Sequence, residues 1–209
     1  MNLYGYVIED PANKIDPTGL YDCEGSKSDC AKIRSFMASL NRAEQHLPKG
    51  SNERSIDQEV RQYVGTEGDD NGVTIVAEKI EGSAAGEARA NNTLALDLGK
   101  LEAYASNPMF SQVNPGKTQM DMTSAIGAGA IAHEAGHQLN RRELGPPNSY
   151  SSELRNETRA YTIESAVHQG LDFNSGLWNY AVPRGVVDTA IRNAAKASTK
   201  EWCAKRGGC

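Results

Sequence analysis

Apolar residues change their period several times along the chain, and each change marks an element. In SDCAKIRSFMASLNRAEQHL, residues 28 to 47, Ile33, Phe36, Met37, Leu40 and Leu47 keep helical spacing, with Ser28 or Asp29 as the cap. A second short helix is expected from Ser55, where Gln58 completes a capping box, Ile56, Val60 and Tyr63 turn inward and Gly65 stops the run. After the acidic loop EGDDNG the pattern becomes strand-like. Val73, Ile75 and Ala77 share one face of GVTIVAEKI, and Leu94, Leu96 and Leu98 alternate in NTLALDLGKL like a half-buried strand. Between them, residues 82 to 92 are rich in Gly, Ala and Asn. A helical period returns at Thr123 in TSAIGAGAIAHEAGHQLNRREL, whose small residues allow close burial and which Gly145-Pro146-Pro147 terminates. NSYSSE then caps a helix running to about Gly170. A last amphipathic helix, about 183 to 206, presents Val186, Val187, Ala190, Ile191, Ala194 and Trp202. The expected architecture is α+β: mostly helical, with a small sheet of two or three strands preceding the long small-residue helix.

Composition narrows the function classes. A net charge of -5 argues against a nucleic-acid binder, which carries a clustered basic face. No stretch approaches 18 uninterrupted apolar residues, so no membrane span is expected, and the opening residues lack the basic start and apolar run of a signal peptide. The four cysteines form two close pairs, Cys23 with Cys30 and Cys203 with Cys209, neither with the spacing of a zinc ribbon or a thioredoxin-like motif. Two small disulfide loops in an oxidising compartment, or four free thiols in a reducing one, both satisfy that spacing.

The chemistry concentrates in HEAGH, residues 133 to 137. Residues four apart lie on one helix face with Cβ atoms about 5–6 Å apart, so His133 and His137 can offer two imidazoles to one ion. Glu134 projects from the adjacent edge, where it can reach water bound to that ion. A catalytic zinc usually takes three protein ligands and keeps one position open. The next helix supplies Glu157, twenty residues after His137, with Glu153 and Glu164 as rivals on the same helix. This arrangement is similar to the gluzincin zinc peptidases, a zincin class in which a glutamate on the following helix completes a His-His-Glu set. The resemblance implies zinc held by His133, His137 and Glu157, with Glu134 as general base. The metzincin pattern is excluded, because Asn140 and Glu143 stand where it needs Gly and His. Tyr161, His168 and Tyr150 are candidate donors to an oxyanion, with Tyr161 and His168 carried forward as candidate catalytic residues. Glu164 or Asn156 is a candidate partner for the ligand histidines. The NTLALDLG strand is a candidate edge for pairing with extended substrate, or a purely structural strand.

The first twenty residues read differently from the rest. Two Asp-Pro steps, Asp10-Pro11 and Asp16-Pro17, favour turns, and Tyr4 and Tyr6 alternate with small residues as in a short strand. Ending in Asp16-Pro17-Thr18-Gly19-Leu20, this segment resembles the end of the conserved core of Rhs (YD-repeat) polymorphic toxins, although the upstream Asp-Pro-x-Gly element of that family is not among these residues. The resemblance implies residues 1–20 as the end of the Rhs core, self-cleavage after Leu20, and a toxin domain over 21–209. It further implies an Rhs carrier with its secretion machinery, delivery into a competing bacterial cell and a cognate immunity protein. The tight cysteine pairs favour the periplasm of that cell over its cytoplasm. The expected activity is zinc-dependent hydrolysis of target-cell proteins. Alternatives are a zinc hydrolase of peptidoglycan cross-links, or a non-enzymatic toxin with a structural metal. A nuclease toxin is disfavoured by the acidic balance.

Overall fold

The structure, a computed structural model, describes residues 20–67, 72–179 and 181–209. Residues 1–19, with the Asp-Pro steps and the Tyr4–Tyr6 alternation, lie outside the described residues. Strands β1 (Leu20–Glu24), β2 (Thr66–Glu67), β3 (Val73–Ala77), β4 (Gly86–Ala88) and β5 (Thr93–Leu96) form one sheet in the order β2-β1-β3-β5-β4. All neighbours are parallel except β4, which pairs antiparallel with β5. The parallel step from β1 to β3 needs a crossover. Helices α1 (Lys27–His46) and α2 (Asn52–Val64) provide it. The turn between β4 and β5 places Asn91 and Asn92 at φ of 60° and 57°, the left-handed region that Asn tolerates better than other side-chain-bearing residues.

Five helices complete the chain: α3 (Leu98–Ala105), α4 (Pro108–Val113), α5 (Gln119–Leu144), α6 (Tyr150–Gly170) and α7 (Arg184–Lys205). The α+β architecture is as expected, with a small mixed sheet ahead of the long helix. Helix α5 occupies the middle, packed against α1, α3, α6, β4 and β5. Its glycines mark the closest approaches. A methyl at Gly127 would enter the Phe36 ring of α1, and one at Gly136 would lie 2.8 Å from Ile163 Cδ1 of α6. The small-residue run is therefore a packing device, letting two helices come near the axis of a third.

Several element boundaries differ from the sequence reading, each for a local reason. Helix α1 is capped by Ser26, whose side chain and Asp29 form a capping box, so it starts before Ser28. Helix α2 is capped by Ser51 rather than Ser55. Thr118 and Asp121 box the start of α5, extending it one turn upstream of Thr123. The Leu94-Leu96-Leu98 alternation stops early: Asp97 accepts the Lys100 amide as the N-cap of α3, turning Leu98 into a helical residue. Ala95 is as buried as its neighbours, because β5 lies inside the sheet with both faces covered. Strands β1, β2 and β4 and helices α3 and α4 have no counterpart in the sequence reading, and the sheet has five strands rather than two or three.

All four cysteines are paired, Cys23 with Cys30 and Cys203 with Cys209. The first ties β1 to α1, and the second closes the end of α7. By loop entropy alone, opening the Cys23–Cys30 loop costs about 2–3 kcal/mol. Cys23→Ser with Cys30→Ser should therefore lower the melting temperature by several degrees in thermal denaturation, and an unchanged midpoint would contradict this.

Asp57 on α2 is fully buried, and neither carboxylate oxygen has a hydrogen-bond partner. Burial, helped by the charge of Glu44, pushes its carboxyl up to about 7 from an ordinary 3.8. A folded-state value above the unfolded one means the protonated form favours folding. That contribution is complete below pH 4 and is lost as pH rises through about 7. Asp57→Asn should thus raise stability by roughly 1–3 kcal/mol at pH 8 and change little at pH 4. Urea denaturation at the two pH values tests this, and equal effects at both would refute it.

Candidate metal centre

The site is built by two antiparallel helices. Gly145 at φ 77° and the prolines behind it end α5, and Ser149 caps α6, so the chain returns alongside itself. His133 and His137 on α5 then face Glu157 on α6. His133 Nε2 lies 3.7 Å from Glu157 Oε2, and His137 Nε2 lies 3.8 Å from Glu157 Oε1. One ligand atom from each of the three falls within 4.8 Å of the others, and the group can hold a metal ion. The separations exceed a hydrogen bond, and Glu157 Oε2 is buried without a hydrogen-bond partner. Two donors each roughly 2.0–2.1 Å from a tetrahedral ion stand about 3.3 Å apart, so the donor set is close to the size an ion needs.

The surrounding groups sort the two rival glutamates. Glu164 Oε2 sits 3.1 Å from His133 Nδ1. Burial opposes the Glu164 charge, but the bond to His133 outweighs it and holds the carboxyl below its usual range, so His133 Nδ1–H is the donor. The second histidine nitrogen, Nε2, is left facing Glu157. Glu153 is buried one turn before Glu157, where its Oε2 accepts from Asn156 Nδ2 at 3.1 Å, and it is outside the trio. Asn140 Nδ2 in turn donates to the backbone and side-chain oxygens of Asn156, tying α5 to α6 beside the site. His137 Nδ1 is buried with no hydrogen-bond partner, although nearby Asn156 favours its charged form.

Burial dominates the electrostatics. It works against a His133 cation, yet the Glu164 hydrogen bond and the charges of Glu134, Glu164 and Glu157 push the imidazole up to about 9. Burial and the His133 charge push His137 down to about 3. Burial raises Glu157 and Glu134 each to about 7. The Ala88 backbone amide and His133 pull Glu134 the other way. The cluster of three carboxyls and two imidazoles thus retains protons at neutral pH, and a divalent cation bound there would displace them.

The trio opens into a cleft of about 1280 Å³. Its floor follows one face of α5 through Ile126, Ala130, His133, Glu134, His137 and Arg141. One wall is α6, with Glu157, Tyr161 and Glu164, and the far wall is α7, with Ala190, Ala194, Ser198 and Trp202. The apolar residues first read as one face of α7 therefore divide. Val187 and Ile191 are buried, Ala190, Ala194 and Trp202 line the cleft, and Val186 is exposed. Ser198 was not anticipated, although it continues the Ala190–Ala194 spacing by one turn.

The candidate oxyanion donors end up in different places. Tyr161 packs edge-on against His133, centroids 4.4 Å apart, and its hydroxyl shares a 2.8 Å hydrogen bond with Ser198 Oγ. Burial raises that phenol to about 12, so it remains a donor at neutral pH. His168 lies two turns beyond Tyr161 on α6, only 2% exposed, with its ring edge-on to Phe173 and packed where Gly129 leaves room. Tyr150 stands at the exposed start of α6 and is not among the cleft residues. The NTLALDLG strand is not an edge: β5 is flanked by β3 and β4, and the strand bordering the cleft is β4. Comparison of the chain with protein-family models, with curated proteins and with solved structures finds no match.

Proposed function

We propose that the chain is a zinc metallopeptidase. On this reading it is the toxin domain of an Rhs carrier, delivered into a competing bacterial cell and opposed by a cognate immunity protein. The observation that carries the enzymatic part is the convergence of His133, His137 and Glu157 in a cleft that also holds Glu134. Zinc bound there would activate a water molecule and polarise the scissile carbonyl. Glu134, with its carboxyl near neutrality, takes a proton from the attacking water and returns it to the leaving amine. Glu164 holds the Nδ1 proton of His133, so the proton that an incoming ion would displace is the one on Nε2. Tyr161, beside His133, donates to the developing oxyanion, and Ser198 holds its hydroxyl until substrate enters. The two disulfides favour an oxidising compartment, so the periplasm of the target cell is the preferred site of action. No described helix is long and apolar enough to cross a membrane.

The test is metal analysis of the purified chain, followed by incubation with denatured protein and, separately, with cell-wall fragments. Bound zinc and chelator-sensitive cleavage of protein are expected. Cleavage of the wall fragments alone would move the substrate to peptidoglycan cross-links. Failure to load any divalent ion would overturn the reading.

A further inference from the structure

Strand β4 borders the cleft with a residue that has no side chain. Its register explains which groups face the site. Asp97 N donates to Ala85 O at 2.9 Å and Arg89 N to Thr93 O at 2.8 Å, and Glu87 pairs with Ala95 between them. Ala85 O, the backbone of Glu87 and Arg89 N therefore face β5, and the alternation of an antiparallel pair turns the backbone groups of Gly86 and Ala88 to the other side. Helix α5 meets them there. Arg141 Nη2 reaches Ala88 O at 3.5 Å, and Gln138 Nε2 donates to Arg89 O. Glu134 lies one turn before Gln138, against Gly86.

The fit at Gly86 is close. A methyl carbon built there would stand 2.7 Å from Glu134 Oε1, 2.9 Å from its Cγ and 3.1 Å from its Cδ. Those separations are inside van der Waals contact, so a side chain on residue 86 and the present Glu134 placement exclude one another. Gly86 has no positive φ that would otherwise require glycine. What the missing side chain provides is the slot for this carboxylate.

We infer that Gly86 is a positioning residue for Glu134, holding its carboxylate in the cleft beside His133, His137 and Glu157. This rests on the assignment of Glu134 as the base. Because the crowded atoms belong to a flexible side chain, Gly86→Ala leaves the sheet and the metal trio in place and displaces the base. A displacement of about 1 Å at a reacting group can cost roughly 10²-fold in rate.

The experiment is a double-mutant cycle on the full chain, comparing Gly86→Ala in the native background and in Glu134→Ala. With Glu134 present, Gly86→Ala should lower the melting temperature by about 2–6 °C. With Glu134 truncated, the same substitution should leave the midpoint unchanged or raise it, since alanine restricts the unfolded chain more than glycine does. Zinc affinity should stay within about twofold, and turnover of denatured protein should fall roughly 10²-fold with KM little changed. Equal thermal shifts in both backgrounds, or native turnover in Gly86→Ala, would overturn the inference. Undiminished hydrolysis by Glu134→Ala would instead remove the assignment of the base, while the thermal cycle still reports whether Gly86 places that side chain.

Discussion

Glu134→Gln is expected to bind zinc as the native chain does and to hydrolyse denatured protein about 10²–10⁴-fold more slowly. The substitution keeps the size of the side chain in its slot under Gly86 and removes its capacity to take a proton. It touches none of the three donors of the candidate metal group. Burial already disfavours the Glu134 charge, so an uncharged replacement should leave the fold as stable as before, or more so. Three measurements on one preparation separate the possibilities: zinc stoichiometry, melting temperature and turnover. Native turnover with zinc bound would show that proton transfer occurs elsewhere, with Glu164 the next carboxylate to examine.

Glu157→Ala should weaken zinc binding by at least about 10²-fold. A structural zinc site is worth about 10–16 kcal/mol in all, so one of a few ligands carries roughly 3 kcal/mol, and each 1.4 kcal/mol is tenfold. The two rival glutamates on α6 provide the scale. Glu164→Ala removes the hydrogen bond behind His133 and should cost about 10–100-fold, the usual effect of a partner one step from the metal. Glu153→Ala, outside the trio, should leave affinity nearly unchanged. Competition titrations with a chromogenic chelator rank the three, and any other order would reassign the third ligand.

The sequence made helices α1, α2, α5, α6 and α7 and the candidate metal donors legible because both follow short-range rules. Four-residue spacing on one helix brings His133 and His137 together whatever the rest of the chain does. Gly145 and the proline pair make the return of the next helix readable, and with it the approach of Glu157. The sheet was harder. Strand β4 lies in a Gly, Ala and Asn run with no alternation, because β5 and α5 supply its partners from outside. Leu98 kept the apolar rhythm of β5 while Asp97 capped a helix, a case where side-chain hydrogen bonding overrides period. The far wall was illegible for another reason. Ser198 becomes meaningful only when α7 packs on α6 and brings its hydroxyl to Tyr161, a pairing of residues 37 apart in sequence.

Both cystine links join near neighbours, at separations of 7 and 6 residues. Mispairing Cys30 with Cys203 would close a loop of some 170 residues, and the added entropic cost of about 3 kcal/mol favours the correct partner roughly a hundredfold. After unfolding and reduction, the chain would therefore regain its covalent staples by local search under oxidising conditions, with little need of a shuffling catalyst.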